Sequence, residues 1–283
     1  MARKVCASGA CRLALGRPGG ETALISITDA QLDAWLAAFF FPLARVLGLI
    51  ATSPVFNNAS LPMRVRLMAG LAITLALAPA LPPLPQIAPA SWAGLAILVQ
   101  QGLIGIALGF TMRIVFAGID LAGELIGLQM GLGFAVFYDP QNAAQSPIVA
   151  ELVGLLALLI FLALNGHLMM LALLAESFTA LPIGSAPFPA AGWETLLRWG
   201  ATIFSVGVLL ALPLIGALLV ANIALGVLTK VAPTLNLFAV GFPVTLMAGF
   251  AMLALSMPYF SPTLEHLFEQ GYGAVSAVMR AGR

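Results

Sequence analysis

Few residues in this 283-residue chain can do chemistry, and the densest group of them is Arg113, Asp120 and Glu124. Their spacings of seven and four place them along one helical face. Charges at membrane depth are costly and face a cavity, a partner or one another. The group therefore reads as an ion or proton relay, which would make the chain a secondary transporter of a small solute or ion, or as a charged face against water or another subunit. A second polar point is Asn165-Gly166-His167, inside an apolar run bracketed by Glu151 and Glu176. His167 reads as a ligand or as a hydrogen-bonded structural residue, and the two glutamates as boundary charges. No paired histidines at helical spacing, Ser–His–Asp set, Walker loop or Gly-rich turn between strand and helix occurs, so no enzymatic activity, nucleotide, cofactor or metal is expected. Both cysteines, Cys6 and Cys11, precede the body of the chain, which leaves that body without a thiolate site.

Glycines carry a different signal. Gly105 and Gly109 repeat at four residues, and so do Gly123, Gly127 and Gly131. Small residues at this spacing let helix backbones approach closely, because van der Waals contact is the main adhesion between helices in lipid. The second ladder runs into an apolar segment, Leu125–Tyr138, too short to cross a bilayer and ending in the turn sequence Tyr138-Asp139-Pro140.

The elements that must position these residues are apolar helices. Hydrophobic residues make up 61% of the chain and charged ones 8%, against about 25% charged in a soluble domain. Residues 67–112, 152–175, 199–229 and 231–264 contain no Asp, Glu, Lys or Arg. Each is long enough to cross the hydrocarbon, for which roughly 20 residues suffice, and none alternates as a membrane β-strand would. The fold class expected is all-α: an integral membrane protein of about six apolar helices, some broken by Pro42, Pro213 or Pro243. A clean span is expected over Leu152–Ala175, and the third span over Trp92 to at least Met112. The net charge of +1 hides a basic leader: Arg3, Lys4, Arg12 and Arg17 leave eight basic against ten acidic residues from Leu24 onward. No nucleic-acid face follows from that balance. Three regions are expected: a disordered extension at 1–23, which the cell makes only if translation starts before Leu24; a helical membrane domain at 24–260; and an amphipathic C-terminal helix at 261–283. That last helix would open at Ser261-Pro262 and lie on a membrane or partner surface.

The segment GELIGLQMGLGFAVFYDP (123–140) resembles the FliR family, the export-gate component of bacterial flagellar type III secretion, which has relatives in virulence secretion. LISITDAQLDAW (24–35), RVLGLIATSP (45–54), LPMRVRL (61–67), QQGLIGIALGF (100–110), FLALNGHLMM (161–170), LPIGS (181–185) and NIALGVLTKVAPTLN (222–236) follow the same pattern in order. One departure is visible. The family commonly has Pro-Gln where this chain has Pro233-Thr234 before Leu235-Asn236. The resemblance implies a non-enzymatic subunit in the inner membrane, at the flagellar basal body. It would assemble as helical hairpins with FliP and FliQ, alongside FlhB and FlhA, around a path for unfolded export substrates.

A pore for unfolded chains must stay tight at rest, and a hydrophobic constriction blocks ions and water by dewetting. Gln129, Met130, Gly131, Leu132, Gly133, Phe134, Phe137, Tyr138, Asp139 and Pro140 combine bulky apolar groups with glycines that let the backbone move. They are expected to form the channel plug, a role the resemblance also implies. The alternative is that Met130, Phe134 and Phe137 only pack between helices. A transporter, in contrast, should show two halves with matching broken helices, and no such repeat is visible.

Overall fold

The computed structural model describes residues 3–7, 10–14, 28–56, 61–82, 85, 87–133, 147–184, 188–231 and 237–282. The described residues of its body form eight α-helices: α1 (Asp29–Thr52), α2 (Met63–Leu77), α3 (Trp92–Gln129), α4 (Ile148–Ala163), α5 (Gly166–Ala180), α6 (Ala190–Gly200), α7 (Thr202–Val231) and α8 (Leu237–Ala281). The start of α1 is fixed by a capping box, in which Gln31 N–H donates to Thr28 Oγ1 at 3.3 Å and Thr28 N–H donates to Gln31 Oε1 at 3.2 Å. Ser91 caps α3 by accepting from Gly94 N–H at 3.0 Å. Among the described residues, five helical stretches are long and apolar enough to cross a membrane, or six if the bent pair α4–α5 is one span. The all-α class is therefore what the body shows.

The central element is α3, which packs against α1, α4, α7 and α8. Its buried residues Ile104, Leu108, Met112, Val115, Ile119, Ala122 and Ile126 recur at steps of three and four, forming one continuous core stripe. At 38 residues it is about 57 Å long, nearly twice the roughly 30 Å hydrocarbon thickness. Arg113, Asp120 and Glu124 lie within this one helix. The third span, expected to reach at least Met112, runs on to Gln129, because charges that project off the packed stripe leave the backbone ladder intact.

In three places the described structure differs from what hydropathy suggests. The run Leu152–Ala175 is not one straight span: α4 and α5 meet at a 67° bend. Asn165 adopts a left-handed conformation there (φ 56°, ψ 28°), which Asn tolerates better than most residues. The boundary at 261 is absent, since α8 runs for 45 residues through Pro243, Pro258 and Pro262. One face of its last third packs on the chain's own core: Phe268 lies 5.0 Å from Phe161 and 5.6 Å from Phe116 between ring centroids, and Leu264, Val275, Val278 and Met279 are buried. The leader is not featureless either. Arg3–Ala7 (β1) and Ala10–Ala14 (β2) pair antiparallel, with Cys6 opposite Cys11.

Candidate functional site

The end of α3 is where the expected plug begins. Its last turn closes as a Schellman motif: Leu132 N–H donates to Gly127 O at 3.1 Å and Gly131 N–H to Leu128 O at 3.0 Å. The motif needs a left-handed residue after the cap, and Gly131 supplies it with φ 86°. Gly131 is thus a helix terminator. Met130 is fully buried, pressed against the bare backbone of Gly249 on α8. The Thr245 hydroxyl, one turn earlier on α8, shares its donor between Met130 O (3.3 Å) and Phe242 O (3.0 Å). Gln129, Leu132 and Gly133 are half-buried, with Leu132 packed on the core. Phe134, Phe137, Tyr138, Asp139 and Pro140 lie outside the described residues, as do Pro233, Thr234, Leu235 and Asn236.

The ladders separate by how tightly they pack. A Cβ on Gly105 would strike the Arg45 carbonyl, and one on Gly109 would meet Thr52 and the Leu49 carbonyl. Gly48 answers from α1 against the Gly102 carbonyl. Gly123 packs on the Ala150 backbone of α4 in the same way. Gly127 is looser, since its Cβ would stop at an ordinary 3.6 Å from Val149.

The charged set does not converge. Arg113 and Glu124 are exposed, Asp120 is half-buried beside Gly154 of α4, and among the described residues no ion pair joins the three. His167 is half-buried, with a buried Nδ1 that has no hydrogen-bond partner among the described residues. The polar cluster that the structure does assemble contains none of these. Arg45 of α1 is fully buried and donates to Gln101 Oε1 of α3 from Nε (2.8 Å) and from Nη2. It also reaches Ser177 O (2.7 Å) and Leu181 O (2.8 Å) at the end of α5. The sequence signals were a lone Arg in one apolar helix and the pair Gln100-Gln101 in another, which hydropathy alone treats as interruptions.

Residues 36–271 match the family of bacterial export proteins, family 1. Flagellar biosynthetic protein FliR of Escherichia coli (strain K12) is 44% identical over 256 residues, covering 90% of this chain and 98% of that protein. The chain belongs to the FliR family. Its Pectobacterium carotovorum subsp. carotovorum relative is 46% identical over the same coverage, and the Aquifex aeolicus (strain VF5) relative is 31% identical over 80% of this chain and 87% of its own length. The family match runs from α1 to Gly271 within α8. It includes the Arg45–Gln101 cluster, both glycine ladders and the Met130–Gly249 contact, so these features sit in the FliR-like body.

Proposed function

We propose that this chain is a non-enzymatic subunit of the flagellar type III protein export gate, located in the bacterial inner membrane at the flagellar basal body. In this reading it joins FliP and FliQ homologues to form the channel for unfolded flagellar proteins, alongside FlhB and FlhA. The observation that carries the reading is the likeness to flagellar biosynthetic proteins, 44–46% identical across 90% of the chain. Physical features support it. Helix α3, and α8 at 45 residues and about 68 Å, exceed the bilayer thickness, which suits an assembly partly raised out of the lipid. Only 11% of the Met63–Ala80 span and 22% of an apolar 18-residue stretch within Gly241–Ala281 are buried within the chain, which leaves broad apolar faces for lipid or other subunits.

Within the gate, the segment Gln129–Pro140 is the candidate channel closure. Its root is held by the Schellman turn and by Met130 against α8, so any movable part begins beyond Gly131. Copurification tests the assembly. The tagged chain should bring down FliP and FliQ homologues in a detergent-stable complex, and recovery only as a monomer that transports a solute in liposomes would overturn the proposal.

A further inference from the structure

We propose that Gly249 and Thr245 of α8 form a socket for Met130, and that this socket positions the channel closure by fixing where and in which direction the chain leaves α3. This role rests on the closure starting at Gln129, as in the function proposed above, and adds the two residues that hold its root. A helix end directs the chain that follows it only if that end is itself held against the rest of the fold. The Schellman turn fixes Gly131 relative to α3 alone. Holding the end of α3 against another helix needs a tertiary contact, and Met130 supplies it.

Met130 is the C-cap residue of α3, with φ −70° and ψ −8°, and it is fully buried. Its side chain lies across the bare backbone of Gly249, where an added Cβ would come within 2.5 Å of Cγ, 2.6 Å of Cε and 2.8 Å of Sδ. Close approach is what glycine serves here, since the positive φ values among the described glycines are at Gly131 and Gly184. Clearing Cγ requires a change of χ1, which the preceding turn of a helix restricts, or a shift of the Met130 backbone. The main chain is held as well: the Thr245 hydroxyl, one turn earlier on α8, donates to Met130 O at 3.3 Å. Among the described residues Thr245 is the donor to that carbonyl, and a buried carbonyl without a donor is costly. Between Phe242 and Tyr259 the buried residues of α8 are Thr245, Gly249 and Leu253, at steps of four. Val244, Met247, Phe250 and Leu255 of the same stretch are exposed. This part of α8 therefore meets the body along one narrow stripe, with Met130 seated in the middle of it. The end of α3 and the first half of α8 are thus set together, and a load on the exposed face of α8 reaches the root of the closure.

A socket and its occupant can be exchanged for one another, and the test uses that property. The tagged full-length chain is purified within the assembled gate, the complex is inserted into planar bilayers, and its resting ion conductance is recorded. Gly249→Ala pushes Met130 out of the notch and Met130→Ala leaves the notch empty. Each should raise resting conductance by about fivefold or more, the scale set by overpacking or by an emptied contact. In the double variant the methyl at 249 occupies the space that the Met130 side chain vacates, so conductance should return to within about twofold of the parent. Thr245→Val should leak, whereas Thr245→Ser keeps the hydroxyl and should match the parent. Parental tightness in both single variants at 130 and 249, or leakage in the double variant equal to the sum of theirs, would overturn the proposal. Thermal midpoints taken in parallel identify a merely structural contact, which lowers the midpoint and leaves the assembled gate tight. Where a variant at 130 or 249 does not assemble, the contrast between Thr245→Val and Thr245→Ser decides. Failure of the parent chain to enter any gate complex would overturn the function proposed above, a result distinct from tight conductance in the variants.

Discussion

Adding one methyl group at Gly105 should destabilise the protein, whereas the same addition at Gly127 should not. At Gly105 a new Cβ would lie 2.9 Å from the Arg45 carbonyl carbon and 3.0 Å from Leu49 N, with the Arg45 carbonyl oxygen closer still. These are backbone atoms in the middle of α1 and cannot rotate away. Relief requires α1 and α3 to part by about 1 Å, a gap at which facing atoms lose a quarter to a half of their dispersion energy. Gly48 and Gly109 hold the same interface close, so the loss spreads along it. Overpacking of this kind costs about 1–3 kcal/mol, a factor of about 5 to 150 in the folded ratio at 0.59 kcal/mol per natural-log unit. At Gly127 the new Cβ would sit 3.6 Å from Val149, which is ordinary contact. Replacing a helical glycine there, in the last turn of α3, favours the helix by up to about 0.5–1 kcal/mol. Gly102, on the same helix with open space at its Cβ position, is the control. Thermal midpoints of the detergent-extracted chain should fall by several degrees for Gly105→Ala and hold or rise for Gly127→Ala and Gly102→Ala. Equal midpoints for Gly105→Ala and Gly102→Ala, or equal losses at Gly105 and Gly127, would refute the close-approach account.

Phe268→Ala removes a ring shared by Phe116 and Phe161. It should cost about 3–5 kcal/mol, read as a lower thermal midpoint. Ending the chain at 260 deletes buried Leu264, Phe268, Val275, Val278 and Met279, so the truncated protein should fail to give a monodisperse size-exclusion peak. At the α4–α5 bend, Asn165→Gly should be neutral, while Asn165→Val should lose about 1–2 kcal/mol because a β-branched residue resists the left-handed conformation. Double replacement of Arg113 and Asp120 by Gln and Asn should leave flagellar export within about twofold of the parent, because these charges share no ion pair; a secretion assay checks it.

Fold class was legible because apolar runs of bilayer length leave no other solution for a chain with so few charges. The course of individual helices was less so. Arg113, Asp120 and Glu124 look like the end of a span in a hydropathy reading, yet they project from a helix whose opposite stripe stays packed. Ser261-Pro262 reads as a boundary, but a proline removes only one N–H, and the buried stripe from Leu264 to Met279 keeps α8 continuous. Asn165-Gly166 carried the break at the bend, a signal of backbone conformation that hydrophobicity cannot register. For the site, the sequence marks a break at Tyr138-Asp139-Pro140, whereas α3 ends at Gln129 and Gly131 closes it through its positive φ, a backbone property that hydropathy does not register. Arg45 was invisible because its partners Gln101, Ser177 and Leu181 are brought together only by the fold.

The most direct test of the account is secretion of flagellar subunits by the source bacterium lacking this chain. The account predicts that hook and filament proteins vanish from the medium and return when the full-length chain is supplied from a plasmid. Undiminished secretion in the deletion strain would contradict it.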